Sequence, residues 1–175
     1  MLRWSVAALL VILASGCSDT NTRTSTFAVY DWEAQRATAS EPGAHELHCR
    51  PQACPVGDAT SVHVIGAPTL TGHDLSQASA RADDATGEAA VFLDLTANGR
   101  ARFEALTRSL ARRGTRSGTP QHMLVTVDDT VYASPFIDFR RNPDGLSGES
   151  GLQLFGVTTT LDEARDLAKR LRGEG

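Results

Sequence analysis

Val131-Tyr132-Ala133-Ser134-Pro135-Phe136-Ile137-Asp138-Phe139-Arg140-Arg141-Asn142-Pro143-Asp144-Gly145 leads, through a Gly- and Ser-rich stretch, to Leu152-Gln153-Leu154-Phe155-Gly156 and then to Thr159-Thr160-Leu161-Asp162-Glu163-Ala164-Arg165-Asp166-Leu167-Ala168. The first part is rich in strand formers. Pro135 cannot donate to a ladder, so the strand is an edge or bends there. Asn142-Pro143-Asp144-Gly145 is a turn, because Pro presets one dihedral and Gly accepts a positive φ. Residues 152–155 predict a short strand. Thr160 with Glu163 predicts a capping box at a helix start. Leu161, Ala164, Ala168 and Leu171 mark one apolar helical face, and Gly173 is a natural stop.

Working upstream, residues 123–127 and 131–136 read as a hairpin around Asp128-Asp129. Thr96 predicts the cap of a helix running to about Arg113, with Phe103, Leu106 and Leu110 inward and Gly114 at its C-terminal end. Gly99 in its first turn weakens that helix slightly. Residues 89–95, 61–65 and 27–32 read as strands, and residues 74–80 as a short helix entered through Thr71-Gly72. Residues 82–87 read as a polar turn, and residues 39–60 as a loop. Strands and helices are interspersed and the turns favour antiparallel pairs. The expected fold class is α+β, a mostly antiparallel sheet with two main helices packed on one face.

The chain has 175 residues, 41% of them hydrophobic and 22% charged, which are globular values. The net charge of −4 argues against a dedicated nucleic-acid binder. Arg3, a short apolar run over residues 6–14 and Ala14-Ser15-Gly16-Cys17 read as a lipoprotein signal, cleaved before Cys17 with acylation of its thiol. The alternative is an ordinary secretory signal cut nearby. The apolar run is about half of the roughly 20 residues a membrane span needs. The expected organisation is a signal over residues 1–16, a flexible tether over 17–26 and a domain over 27–175, on the extracytoplasmic face of the cell membrane.

Cys49 and Cys54 are the only cysteines besides Cys17. In an exported protein an even pair reads as a disulfide. Zinc held by His45, His48, Cys49 and Cys54 is the alternative, but the spacing matches no standard finger. No nucleophile elbow or other catalytic signature occurs, so an enzyme is not expected, and neither is a cofactor or a metal. The helix carrying Arg100, Arg102, Arg108, Arg112 and Arg113 has two readings. One is a basic face for anionic lipid or acidic segments. The favoured one is a solvated face with Glu104 paired to Arg108.

The ordered series of residues resembles the extracytoplasmic head of SecD, the accessory subunit of the bacterial protein-export channel, in its actinobacterial form. The resemblance rests on Tyr30-Asp31-Trp32-Glu33, Leu70-Thr71-Gly72-His73-Asp74-Leu75, Thr86-Gly87, Leu95-Thr96, Gly99, Phe103 and Leu106-Thr107. It continues through Ser134-Pro135, Ile137-Asp138-Phe139, Asn142-Pro143-Asp144-Gly145 and Leu161-Asp162-Glu163-Ala164. It implies a SecD-head-like fold, no catalysis, and extracytoplasmic polypeptide or export-channel components as partners. The membrane is then reached through the lipid anchor alone. A SecD-head paralogue with another envelope role, such as ligand or cell-wall binding, is the alternative. The SecD head usually has Gly at the second position of the 128–129 turn, so Asp129 implies a different or strained turn. An edge near Pro135 and the long loop of residues 140–151 suit an extended chain bound by strand addition. The candidate residues are Tyr132, Pro135, Phe136, Arg140, Arg141 and Asn142.

Overall fold

A computed structural model describes residues 26–83, 87–149, 151–156, 158 and 160–173. The expected signal, Cys17 and the tether up to residue 25 lie outside the described residues, as do residues 84–86 of the expected 82–87 turn.

The chain runs β1 (Phe27–Asp31), α1 (Trp32–Gln35), β2 (Arg36–Ala37), β3 (Ala44–Cys49), β4 (Ser61–Ile65), β5 (Leu70–Thr71) and a 3-10 turn (Gly72–Asp74). It continues β6 (Leu75–Ala82), β7 (Ala89–Leu95), α2 (Ala97–Ser117), β8 (Gln121–Val127), β9 (Thr130–Ala133), β10 (Phe136–Ile137), β11 (Leu152–Phe155) and α3 (Leu161–Leu171). One sheet has the order β2-β4-β3-β9-β8-β1-β5, with β10 also on β8, and a second has the order β11-β7-β6. Only the β3–β9 pair is parallel among the described strands. The α+β class is as expected.

The first sheet is covered on both faces, which is why β1 shows so little alternation. Phe27 and Val29 join Met123, Val125 and Val127 in one core, completed by Phe103, Leu106 and Leu110 of α2, Ala164 and Leu167 of α3, and Val91 and Leu93 of β7. Ala28 and Tyr30 face the other way, into a core with Trp32, Leu47, Val62, Val64 and Leu124. Both long helices therefore share one face. The sheet curls so that β3 and β4 close the other.

Several local expectations are met. Thr160 caps α3 by accepting from Glu163 N at 3.2 Å, and Gly173 follows the helix at φ +75°. Thr96 caps α2 by accepting from Gly99 N at 3.0 Å. Gly145 N donates to Asn142 O at 3.1 Å, closing the Asn-Pro-Asp-Gly turn. The 128–129 turn takes the strained option: Asp128 has φ +49° and Asp129 φ +59°. Left-handed φ at both central positions is the twist-matched hairpin turn, and here two aspartates adopt it without glycine. Their carboxylates are held from outside: Asp128 by Thr26 N at 2.9 Å and Arg170 at 2.8 Å, Asp129 by His45 at 3.0 Å.

Three expectations fail. Residues 75–80 are strand, not helix. Asp74 turns its carboxylate back onto Thr71 N at 2.9 Å, ending the turn, and β6 then pairs with β7 from Leu75 to Ala82. Leu-Ser-Gln-Ala-Ser-Ala-Arg-Ala has no strong preference of its own, so the partner strand decides. The 39–60 loop contains β3, whose Leu47 is fully buried. Gly114 does not stop α2. The helix continues to Ser117 and ends on Gly118 at φ +73°, while Gly114 leaves a niche for the Phe139 ring, 2.7 Å from where a Cβ would stand.

Cys49 and Cys54 are joined as a disulfide with their Cα atoms 5.3 Å apart, and the bridge flanks the second core beside Ala53. Their sulfurs are thus engaged with each other and His45 with Asp129, which dismantles the four-residue zinc set.

Candidate functional site

Four consecutive residues, Tyr30-Asp31-Trp32-Glu33, tie the first sheet to its surroundings. Tyr30 and Trp32 fill the second core. Asp31 caps α1 through Ala34 N at 3.2 Å and takes the Arg113 guanidinium from α2. Glu33 accepts from His122 N at 2.8 Å and pairs with the His122 ring at 3.1 Å. The Phe136 ring stands edge-on to His122 at 5.9 Å.

The sequence-derived residues do not form one patch. Pro135 breaks the strand as expected: β9 and β10 are two pieces along one side of β8, joined by Met123 N donating to Pro135 O at 2.9 Å. β3 covers this strand only at Thr130 and Val131, so no described strand pairs with its outer side beyond Val131. The exposed edge is therefore real but short. Tyr132 packs on the first core, with the Arg50 guanidinium 4.9 Å from its ring. Phe136, 56% exposed, pairs instead with His122, which lies on the Leu124 side of β8, the second-core face.

Arg140, Arg141 and Asn142 are drawn into local contacts. Arg140 lies 5.4 Å over the Phe139 ring, Arg141 pairs with Asp138 at 3.5 Å, and Asn142 N donates to Asp138 O at 2.8 Å.

The described part of the 140–151 loop is not loose. Leu146 N donates to Thr107 Oγ1 at 3.0 Å, and that hydroxyl donates to Leu146 O at 3.2 Å. Gly148 N donates to Glu104 at 3.4 Å. Gly145, at φ +85°, lies so close to α2 that a Cβ would be 2.5 Å from Arg108 N. Glycine here permits both the conformation and the approach.

A half-open concavity of about 980 Å³ lies elsewhere, between the first sheet and the edge of the second. One wall is β1 with Phe27, Ala28 and Tyr30, joined by Thr126 of β8 and Thr71 of β5. The opposite wall is β6 from Leu75 to Ala78, and Leu171 at the end of α3, with Arg172 and Gly173 after it, closes one end. β6 is the terminal strand of its sheet, so its outer edge has no strand partner among the described residues. Arg172 reaches in and donates to the Ala78 carbonyl at 2.6 Å.

The lining mixes apolar rings and chains with hydroxyl and amide groups, which suits a segment carrying both side chains and peptide groups. Burial first, and the Asp129 charge second, push the Tyr30 phenol above its usual pKa, so it stays a neutral donor at physiological pH. Among the described residues no three or more His, Cys, Asp or Glu side chains gather as metal ligands. Sequence reasoning missed this cavity because it reads residues 75–80 as helix. The signal it did register was the adjacent run Leu70-Thr71-Gly72-His73-Asp74-Leu75.

Gly99 belongs to the same construction. A Cβ there would be 2.3 Å from the Asp74 carbonyl, which accepts from Thr96 N at 2.9 Å. The cost read in the helix is what lets α2 start against the turn that launches β6.

No curated protein matches the sequence. Solved structures of SecDF do, two of them at 27% identity. One, described as a membrane component that enhances protein export, aligns over 62% of this chain and 42% of its own, with a TM-score of 0.49. The other, SecDF in a super-membrane-facing form, aligns over 63% of this chain and 13% of its own, with a TM-score of 0.50. The chain thus spans less than half the length of either relative. The family described as SecDF, P1 head subdomain, matches residues 51–174, taking in β4 to α3 with both long helices, the whole second sheet and the 138–149 segment. By that match, over most of its length, this chain belongs to the SecDF P1 head family.

Proposed function

We propose that the chain is a lipid-anchored, extracytoplasmic, non-catalytic SecD-like head that assists protein export by holding unfolded polypeptide in the cavity between β1 and β6. The observation that carries this reading is the cavity itself. It is bounded by the outer edge of β6, which no described strand pairs, in a domain of the SecDF head family. Such an edge offers backbone hydrogen bonds to any extended chain, which gives affinity with little sequence selectivity. Ordering a disordered client costs entropy, so the affinity is modest. No helix among the described residues is long and apolar enough to cross a membrane; Cys17 is the proposed point of attachment.

The strand end at Phe136 is the competing seat. A photoreactive amino acid placed at Ser76 in one strain and at Phe136 in another separates them. The cavity reading expects crosslinks from Ser76 to exported proteins still in transit. Crosslinks from Phe136 alone would move the site to the β10 edge. Cys17→Ala separately tests the anchor: the protein is then released or left unprocessed, and a variant processed and membrane-bound like the wild type would refute acylation.

The volume supports a second reading, since it also falls in the range of small-ligand sites. A paralogue binding an envelope ligand would show no preference between unfolded and folded protein.

A further inference from the structure

Arg108, Arg112 and Arg116 stand at i, i+4 and i+8 on the outer side of α2, all exposed. With Ala105 and Ser109 they line one shallow surface depression. The structure removes the partners that would make this an ordinary solvated face. Glu104, the expected partner of Arg108, is turned to Gly148 N. Other arginines of the helix are engaged elsewhere, Arg102 with Asp74 at 3.6 Å and Arg113 with Asp31. No ion pair reaches the three outer guanidinium groups among the described residues.

Like charges one turn apart repel, so the row costs the isolated helix stability. It does so in a chain whose net charge is −4. An anionic surface would turn that cost into attraction.

We infer that this face of α2 docks on an anionic lipid surface. The row spans about 12 Å at 1.5 Å per residue, and each planar guanidinium fork matches a phosphate bidentately. Side chains between the arginines are small. Among the described residues the exposed large hydrophobic ones are Val56, Ile65, Phe136 and Leu146, and none belongs to α2. A specific protein interface centres on desolvated aromatic or aliphatic anchors, and this face provides none. Recognition by charge alone is how basic segments meet anionic membranes. The inference concerns a different surface from the polypeptide cavity and stands whether or not Cys17 is acylated.

The test uses the full chain with Cys17→Ser, so that no acyl group contributes. It is compared with the same chain carrying Arg108→Gln, Arg112→Gln and Arg116→Gln. Both are floated with phosphatidylcholine vesicles and with vesicles that also contain phosphatidylglycerol, at low and high salt. A parallel arm offers soluble polyglutamate. Each arginine is expected to contribute about five-fold to partitioning, so the triple variant loses about 100-fold on anionic vesicles at low salt. High salt should abolish the difference. Equal partitioning of the two chains, equal binding to neutral vesicles, or binding to polyglutamate without binding to vesicles would overturn the inference. Thermal melting checks folding, with the triple variant expected to melt no lower than its parent. Should it fail to fold, Arg112→Gln alone is expected to lose about five-fold, and unchanged partitioning then overturns the inference.

Discussion

Residues 138–149 have no regular structure beyond turns, yet they are held every few residues. Phe139 enters the Gly114 niche, Gly145 touches the backbone of α2, Leu146 shares two hydrogen bonds with Thr107, and Gly148 meets Glu104. Strand β6 is the reverse. Apart from a bulge between Leu75 and Gln77 it pairs with β7 on one side, while its other side faces a cavity of about 980 Å³. Order and closure are separate properties. A segment without repeating hydrogen bonds can be a fixed part of the fold when tertiary contacts meet its polar groups. A strand with them can still present an edge that no strand pairs.

The sharpest way to break this comparison is at Gly145. Gly145→Ala combines a left-handed φ with a collision against the α2 backbone, and should cost about 3 kcal/mol, or roughly 10 °C in Tm. Gly43, at φ +80° with no atom near its missing Cβ, is the control. Gly43→Ala should cost only about 1 kcal/mol from conformation alone. Equal losses at the two positions would mean that residues 138–149 are not seated on α2.

The disulfide comes next in size. Cys49 and Cys54 close a short loop beside the second core. Replacing both with Ser should lower stability by about 2 kcal/mol, read from denaturant midpoints. It should leave polypeptide binding unchanged, because neither cysteine lines the cavity. Thr107→Val then removes both bonds to Leu146 while keeping the volume. It should cost about 1–2 kcal/mol through the unmet Leu146 N–H. A neutral result would mean that water replaces the hydroxyl and that the strap is looser than described.

The smallest effect concerns the cavity wall. The folded state holds the Tyr30 proton longer than the unfolded state does. Stability therefore declines as pH rises past the ordinary phenol value of 10.0. Asp129→Asn removes the secondary, charge-based cause but not the burial. The phenol should titrate lower than in the wild type, yet still above the ordinary value, by ultraviolet difference absorbance. A return to the ordinary value would show that burial in the wall contributes little.

What could be read from sequence follows the same division. The α3 start was legible because Thr160 and Glu163 are three residues apart and their bond is local. The Asn-Pro-Asp-Gly turn and the strands whose own composition favours extension were legible for the same reason. β6 was not, since its Ala, Ser and Gln are indifferent and β7 supplies the decision from a distance. Gly114 and Gly99 read as a stop and a weakness. Their reasons, the Phe139 ring and the Asp74 carbonyl, arrive from elsewhere in the chain. The candidate site was half legible. Pro135 marked a true break, but the β-bulge between Val125 and Thr126 and the break itself set Tyr132 and Phe136 on different faces. The cavity needed β6 to be a strand before it could exist.

The central claim is that the space between β1 and β6 receives unfolded polypeptide. Ser76 lies exposed on β6 at its wall, so Ser76→Trp should fill the space without disturbing a core. A permanently unfolded reporter protein and its folded counterpart should be titrated against the wild type, Ser76→Trp and Phe136→Ala. The account predicts weak binding of the unfolded form only, retained in Phe136→Ala and reduced at least ten-fold, about 1.4 kcal/mol, in Ser76→Trp. Undiminished binding in Ser76→Trp, or no preference for the unfolded form, would contradict it.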